Sequence, residues 1–173
     1  MKIGILSDTH GNLRATRQIA EQFVEAGVET VFHCGDIGGE EVLTELAVLC
    51  APQKIPVCAV LGNVDLPASD WRFFPIQIGV EVVGRFGTQQ LDGKQIAWLH
   101  GDDSARLRQT LSSGEYDFVF SGHSHLFHDQ KEGRTRWLNP GSAGRGNPNT
   151  ALILDLKTNH LEKIALPKQN RFF

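Results

Sequence analysis

The 173-residue chain is predicted to adopt an α/β fold, and three observations support this prediction. Short apolar runs alternate with amphipathic stretches over residues 2–61, which is the β-α-β-α-β pattern of a parallel sheet. From residue 78 onward the pattern changes to paired strands, with Asp92-Gly93 as a hairpin turn signal. The composition, 40% hydrophobic and 21% charged, is that of an ordinary globular protein. The simplest arrangement is two stacked mixed sheets with helices outside them, in one domain over residues 1–173.

The first elements are clearly marked in the sequence. Lys2–Leu6 is predicted to be a buried strand, and Asn12 is expected to cap the following helix, which ends at Gly27. The apolar face of that helix is assigned to Leu13, Ile19, Ala20, Phe23 and Val24. The later predicted elements are helices Glu40–Cys50 and 104–111, a strand around Phe127, and strands 30–34, 56–61, 78–86, 94–100, 118–121, 135–138, 151–156 and 161–166.

Five of the apolar strands end in a short polar cluster that contains a glycine. The clusters are Ser7-Asp8-Thr9-His10-Gly11-Asn12, Gly35-Asp36, Gly62-Asn63-Val64-Asp65, His100-Gly101 and Gly122-His123-Ser124-His125. Ligands of open α/β sheets bind at the carboxyl ends of the strands, and glycine permits the tight turns needed there. We therefore expect the five clusters to meet at one edge of the core.

Seven side chains of these clusters are the candidate metal ligands. They are Asp8, His10, Asp36, Asn63, His100, His123 and His125. Mixed oxygen and imidazole ligands suit Mn, Fe, Co, Ni or Zn better than Mg or Ca. Seven ligands exceed the needs of one tetrahedral zinc and suit two ions about 3.5–4 Å apart that share a carboxylate. In Asp8-x-His10 and His123-x-His125, an extended backbone would place both side chains on one side.

The order of these motifs resembles that of the calcineurin-like metallophosphoesterase superfamily. The resemblance is carried by Asp8-Thr9-His10-Gly11-Asn12, Gly35-Asp36, Gly62-Asn63, His100-Gly101 and Gly122-His123-Ser124-His125. The compact length and the later Asn139-Pro140-Gly141-Ser142 resemble its small prokaryotic phosphodiesterase branch, so the resemblance covers nearly the whole chain. It implies a four-layer α-β-β-α sandwich with two mixed sheets.

The resemblance also implies a division of the ligands between two ions. Asp8, His10 and His125 would hold one ion, Asn63, His100 and His123 the other, and Asp36 would bridge them. It further implies a phosphodiesterase or phosphatase that hydrolyses a small phosphate ester with a hydroxide bound by two metals. Manganese is the first expectation for the two divalent ions, with Fe, Co, Ni or Zn as alternatives.

The third cluster departs from the family pattern at one position. Many members have His between the Asn and the Asp, where it is thought to protonate the leaving group. Here that position is Val64, which cannot transfer a proton. Asp65 remains without its usual partner, so general-acid help from residue 64 is expected to be absent.

Further residues are assigned by their context. Asn12, Asn63, Asp65 and Arg145 are the candidates for contacting substrate or supporting the metal ligands. Arg145 is the candidate for binding a phosphate oxygen. Turn chemistry alone explains Asn139-Pro140-Gly141-Ser142, and contact of Ser142 with substrate is the alternative that the resemblance offers. Structural roles are expected for His33, His128 and His160, the last two at the surface, and for the buried reduced thiols of Cys34, Cys50 and Cys58. Core packing rather than an exposed patch is expected for Trp71, Phe73 and Phe74.

Two other functions are weighed against the phosphodiesterase. A non-catalytic protein-interaction scaffold is an alternative because a eukaryotic retromer subunit shares this fold, but all seven ligand residues are present here. A metal-dependent nuclease is disfavoured because the net charge of −3 gives no broad electrostatic attraction to nucleic acid. No signal peptide is expected from the first residues and no apolar run has the length of a membrane span, so a cytoplasmic location is the expectation. The oligomeric state is open, and a homo-oligomer is compatible with the sequence.

Overall fold

The computed structural model describes residues 1–65, 71 and 74–167. Within them the strands are β1 (Lys2–Leu6), β2 (Thr30–His33), β3 (Val57–Ala59), β4 (Val80–Val82), β5 (Phe86–Leu91), β6 (Lys94–Leu99), β7 (Phe118–Phe120), β8 (Phe127–Glu132), β9 (Thr135–Pro140), β10 (Thr150–Asp155) and β11 (Leu161–Ala165). The helices are α1 (Leu13–Glu25), α2 (Glu40–Cys50), α3 (Phe74–Gln77) and α4 (Ser104–Ser112).

The strands form two mixed sheets, in the orders β11-β10-β1-β2-β3-β4 and β5-β6-β7-β9-β8. In the first sheet β1 to β4 run parallel, while β10 and β11 are antiparallel to their neighbours. In the second sheet β6, β7 and β9 run parallel, and β5 and β8 pair antiparallel at its two edges. Each sheet therefore contains a block of parallel strands, whose carboxyl ends point towards the same edge of that sheet.

Alternating side chains build the four layers. In β6, Ile96 and Trp98 pack into the core between the sheets, whereas Ala97 and Leu99 face the opposite way, towards α4. Helices α1 and α2 cover the outer face of the first sheet with a separate apolar cluster that includes Phe23. Gly4 of β1 makes this packing close, because a Cβ there would lie 2.8 Å from the Phe23 ring. The predicted α-β-β-α sandwich with two mixed sheets is confirmed.

Most predicted elements are present, and helix α1 shows how the sequence defines one of them. The Asn12 side chain accepts a hydrogen bond from Ala15 N–H, as expected of a capping residue. Gly27 follows the helix with a positive φ of 70° and bonds back to the Val24 carbonyl. The assignment of Leu13 to the apolar face was wrong, since this first helical residue is 38% exposed.

The predicted strand 78–86 was wrong. Only Val80–Val82 is a strand there, and it lies in the first sheet, parallel to β3. Gly79 and Gly84 have φ values of 74° and 83°, so left-handed backbone interrupts the run on both sides. The partner of β6 across the Asp92-Gly93 turn is β5, which begins where the predicted strand ended. Helix α3 was not predicted.

Other expectations concern buried side chains. All three cysteines are free and buried, and burial raises the pKa of Cys50 to about 11. Trp71 is buried, with its indole N–H donating to the Asp65 carbonyl. Phe73 and the side chain of Phe74 lie outside the described residues. Among the residues that the structure describes, no helix has the length and apolar character needed to cross a membrane.

Candidate metal centre

Five loops that follow β1, β2, β3, β6 and β7 meet at one edge of the two sheets. The loops are joined by backbone hydrogen bonds, including Asp8 N–H to the Gly35 carbonyl and Gly122 N–H to the His100 carbonyl. His100, from the second sheet, also contacts the first sheet, with 2.9 Å between its Nδ1 and the Cys34 carbonyl oxygen. The expectation that the polar clusters gather at one edge is confirmed by this geometry.

The backbone of the clusters is not extended. Five of the seven candidate ligands have positive φ values, namely Asp8 at 55°, His10 at 45°, Asp36 at 54°, His123 at 65° and His125 at 59°. The expectation that an extended backbone aligns Asp8 with His10 and His123 with His125 was therefore wrong. Left-handed non-glycine residues are strained and are concentrated at functional sites, where surrounding packing maintains them.

One half of the centre consists of Asp8, His10, Asp36 and His125. One candidate ligand atom from each lies within 4.8 Å of those from the others. Nε2 of His125 is 3.1 Å from Oδ1 of Asp8 and 3.2 Å from Nε2 of His10. Two oxygens and two imidazole nitrogens thus converge on one point, as ligands of a single ion do.

The other half consists of Asn63, His100 and His123. Nε2 of His100 lies 3.1 Å from Oδ1 of Asn63, and the rings of His100 and His123 have their centroids 5.2 Å apart. His123 and His125 therefore face different halves of the centre, although they are separated by one residue. Gly62 is required beside this half, because a Cβ there would collide with Oδ1 of Asp36.

Asp36 lies between the two halves. Its Oδ1 is 3.2 Å from Nε2 of His100, and its Oδ2 is 3.7 Å from Nε2 of His10. Burial alone would raise the pKa of Asp36, but hydrogen bonds from His100 and from Val64 N–H, with the nearby imidazoles, hold it at about 2. An ionised carboxylate with one oxygen facing each half is the arrangement that a bridging ligand needs.

Asp8 provides a test of whether the residues present fit a metal ion. Its side chain is fully buried, and Oδ2 accepts a hydrogen bond of 3.0 Å from His123 N–H. Its Oδ1 is buried, and although Nε2 of His125 is 3.1 Å away, no group among the described residues donates a hydrogen bond of acceptable geometry to it; burial raises the pKa of Asp8. A buried oxygen left without a donor is costly unless a cation contacts it. The donor set and this oxygen both fit a divalent metal ion.

His33 has a structural role, as expected, and it supports the first cluster. Its Nδ1 accepts a hydrogen bond from Gly35 N–H, so Nε2 carries the proton and donates to Thr9 Oγ1 at 2.9 Å. Thr9 in turn donates to the Ile37 carbonyl. Burial lowers the pKa of His33 to about 4, so this side chain stays neutral.

Asp65 is a loop-supporting residue with both oxygens occupied. Its carboxylate accepts hydrogen bonds from the N–H groups of Ile37, Gly38 and Gly62, at 3.1, 3.0 and 2.8 Å. These bonds join the loop that holds Asp36 to the loop that holds Asn63. Because the carboxylate is buried and committed to the backbone, it is not placed to orient a side chain at residue 64.

We expect Asp65→Ala to lower the free energy of unfolding by about 3 kcal/mol, because three buried N–H groups lose their acceptor. Denaturant titration of the variant measures this change. Asp155→Ala is the matched control, since Asp155 accepts from Lys157 and Thr158 N–H in an exposed turn, and it should have a much smaller effect. An unchanged midpoint for Asp65→Ala would contradict the supporting role.

The remaining candidate residues differ in whether their side chains are free to contact substrate. Asn12 is engaged twice, since its Oδ1 caps α1 and its Nδ2 donates to the Gly144 carbonyl at 3.1 Å. Ser142 is fully buried and donates to the Asp8 carbonyl, so it has the structural role that the turn chemistry of its loop predicts and not the alternative contact with substrate. Arg145 is exposed and close enough that its charge, together with burial, lowers the pKa of His10. Of these three residues, Arg145 is the one whose exposed side chain could bind an anion.

Sequence reasoning missed one pair beside the centre. Arg85 forms an ion pair with Asp102, and its Nη1 lies 3.5 Å from the Gly62 carbonyl oxygen. The pair connects the loop after His100 with the loop that holds Asn63. Asp102 directly follows His100-Gly101, which was the available signal in the sequence. His160 is exposed as expected, whereas His128 is half-buried against Trp137.

Comparison with known proteins identifies the family. A phosphodiesterase of Methanocaldococcus jannaschii is 32% identical over 170 residues, covering 96% of this chain and 99% of the relative. The solved structure of an archaeal phosphodiesterase matches with a TM-score of 0.86 and 31% identity, over 96% of this chain and 100% of that one. Vps29 from Entamoeba histolytica shares the fold, with a TM-score of 0.65 and 16% identity over 96% of this chain and all of that one.

The match to a family model covers most of the chain and includes all five clusters. Residues 1–159 match the calcineurin-like phosphoesterase superfamily domain. The resemblance predicted from the motifs is confirmed. The predicted similarity to the small prokaryotic phosphodiesterases of this superfamily is confirmed as well. The chain belongs to the calcineurin-like phosphoesterase superfamily.

Proposed function

We propose that this protein is a phosphodiesterase that uses two divalent metal ions to hydrolyse a small phosphate ester. The observation that carries the proposal is the position of Asp36, which has one carboxylate oxygen facing each of two sets of ligands. The similarity to phosphodiesterases over nearly the full length supports the same reaction class.

The ligands divide according to the geometry of the two halves. Asp8, His10 and His125 would hold one ion, Asn63, His100 and His123 would hold the other, and Asp36 would serve both. Two divalent ions held by these residues would supply Lewis acidity to the phosphoryl oxygens and would activate water as the nucleophile. Manganese is the first choice for this donor set, with Fe, Co, Ni and Zn as alternatives.

The charges of the site suit an anionic substrate. Asp8 and Asp36 are the two carboxylates of the set, and Asn63 and the four imidazoles bind as neutral groups. Two divalent ions would therefore leave a net positive charge, which attracts a phosphodiester anion. Arg145, exposed beside His10, would add a guanidinium for a phosphate oxygen.

The proposal is tested by metal analysis of the purified protein together with an assay on bis-p-nitrophenyl phosphate. We expect two ions per chain, and we expect chelation to abolish hydrolysis and metal addition to restore it. Fully loaded protein that hydrolyses no phosphate ester would instead favour the interaction scaffold. A single site, by elemental analysis and anomalous scattering of active protein, would contradict the dinuclear centre.

The leaving group is expected to depart without help from residue 64. Val64 is 47% exposed, and only its backbone N–H reaches the centre, through a 3.1 Å hydrogen bond to Asp36. Since a general acid contributes about 10²–10⁴-fold, its absence should make hydrolysis depend steeply on leaving-group acidity. We expect rapid release of p-nitrophenol and slow release of alkyl alcohols, measured over a series of diesters.

The variant Val64→His is expected to hydrolyse diesters with alkyl leaving groups less than about tenfold faster than the unmodified protein does. An imidazole at residue 64 would lack a carboxylate to orient it, because Asp65 is bonded to three backbone N–H groups. Val64→Gln controls for size and polarity without a titrating group. A shallow dependence already present in the unmodified protein would mean that another group supplies the proton.

A further inference from the structure

A cavity of about 370 Å³ opens beside the candidate metal centre on the outer face of the second sheet. Its walls include His123 and the adjoining Gly122 and Ser124, so a ligand seated in it would lie next to the His100–His123 half of the centre. Ligand-binding pockets typically have volumes of about 300–1,000 Å³ and mostly apolar walls. The cavity is large enough to be a binding site.

The walls away from the centre are apolar and aromatic. They are formed by Leu107 of α4, Leu126 and the contacting rings of Trp137 and His128, whose centroids are 4.0 Å apart and whose planes are tilted by 51°. Leu126 follows His125 directly and is 70% exposed, so its side chain is accessible to a ligand in the cavity. A cavity lined by a half-buried indole and two leucines suits a flat apolar group.

One polar group in the cavity can contact a ligand. Ser124 is exposed, and its Oγ accepts hydrogen bonds from Asn139 Nδ2 and Leu126 N–H, which leaves its own hydroxyl proton to donate. A mostly apolar cavity with a few polar groups is typical of a site that selects a small organic ligand.

The cavity continues away from the centre. A second cavity of about 630 Å³ runs between α4 and the turn that joins β8 to β9, and it shares Leu107 and Trp137 with the first. The groove exists because α4 is short and covers Ala97, Leu99 and Val119 but leaves the β8–β9 side of the sheet open. A substituent longer than one ring can therefore extend along the sheet.

We propose that this groove seats a planar aromatic substituent of the phosphodiester substrate, of the aryl or nucleoside type, against Trp137 and His128. The inference rests on the proposed phosphodiesterase function and adds the substrate class. The phosphate would lie at the metal centre, while the substituent that remains on it or leaves from it would extend past Ser124 into the groove. Specificity would then be set by Leu107, Leu126 and Trp137, which are not candidate metal ligands.

The test compares p-nitrophenyl phosphodiesters that share one leaving group and differ in the other substituent. Methyl, benzyl, cyclohexylmethyl and thymidine 5′ esters are hydrolysed by the metal-loaded protein. We expect kcat/KM for the benzyl or thymidine ester to exceed that for the methyl ester by about tenfold or more, because ring stacking is lost with methyl. The cyclohexylmethyl ester should fall in between. The better of the benzyl and thymidine esters identifies the substituent type.

Variants locate the preference in the groove. Trp137→Ala and Leu126→Ser should each reduce the benzyl-to-methyl ratio of kcat/KM towards one, and Leu126→Ser alters an exposed side chain that folding does not need. Val48→Ser is the control, since Val48 is 60% exposed on α2 at the other side of the molecule, and it should leave the ratio unchanged. Calorimetry should also show benzylphosphonate binding about tenfold more tightly than methylphosphonate, a difference that Trp137→Ala removes.

The outcomes separate this inference from the function on which it rests. Equal kcat/KM for methyl and benzyl esters, or a preference that survives both variants, would overturn the groove assignment and leave the phosphodiesterase standing. No hydrolysis of any of the four esters by fully metal-loaded protein would overturn the proposed function and the groove assignment with it.

Discussion

Asp36→Asn is expected to lower kcat/KM for bis-p-nitrophenyl phosphate by about 10³-fold and to reduce the metal content from two ions to one or none. The carboxylate has one oxygen near His100 and the other near His10, so both halves of the centre depend on it. An amide presents a single oxygen, carries no charge and turns an N–H₂ group towards one half. Losing a bridging anion is comparable to losing roughly 4 kcal/mol of transition-state stabilisation.

The measurement is steady-state kinetics with elemental analysis of the same preparation. Asp129→Asn is the matched control, because Asp129 forms a salt bridge with Arg136 on the second sheet and should leave activity and metal content unchanged. A circular dichroism spectrum identical to that of the unmodified protein would exclude loss of fold. Retention of two ions and of more than a tenth of the activity in Asp36→Asn would show that the carboxylate is not a bridge.

The architecture could be predicted from the sequence because its strands and helices have local sequence signals. Alternating burial in β6 and the capping of α1 by Asn12 are local effects that a single sequence reveals. The error at residues 78–86 arose because the run Ile78–Phe86, which is rich in valine but also contains Glu81 and Arg85, was interpreted as one strand. Gly79 and Gly84 were visible in that run, but only the fold shows that both adopt positive φ and assign Val80–Val82 to the other sheet.

For the centre, the sequence indicated which residues meet but not how they meet. Residue type and order were enough to bring the seven side chains together, because each follows a strand whose carboxyl end lies at the same edge. The left-handed backbone of His123 and His125 could not be read from spacing, since it depends on contacts between loops that are distant in sequence. For the same reason Asp65 and Ser142 looked available for chemistry, whereas backbone groups of other loops already occupy them.

Acidification is expected to remove the metals and the activity together below about pH 6. Four imidazoles in the centre must be neutral to bind an ion, and a free histidine has a pKa of about 6.5. Protons therefore compete with metal as the pH falls. At pH 5 the protonated form of a free histidine exceeds the neutral form by roughly 30-fold. With two imidazoles for each ion, metal affinity should fall by about 10³-fold between pH 7.5 and pH 5.

The two halves are expected to lose their ions in a defined order. Burial lowers the pKa of His100, but its hydrogen bonds to Asp36 and the Cys34 carbonyl and the charge of Asp36 outweigh burial and raise it. Burial and the charge of Arg145 lower the pKa of His10. A raised pKa means that protons compete from a higher pH, so the His100–His123 half should release its ion first. Crystals equilibrated at pH 7.5 and pH 5.5 would show the order by anomalous scattering, with circular dichroism at both values to confirm the fold.

Activity that stays level from pH 7 to pH 5 with both ions retained would contradict the competition of protons with metal. Release of the ion from the His10–His125 half first would contradict the predicted order of release.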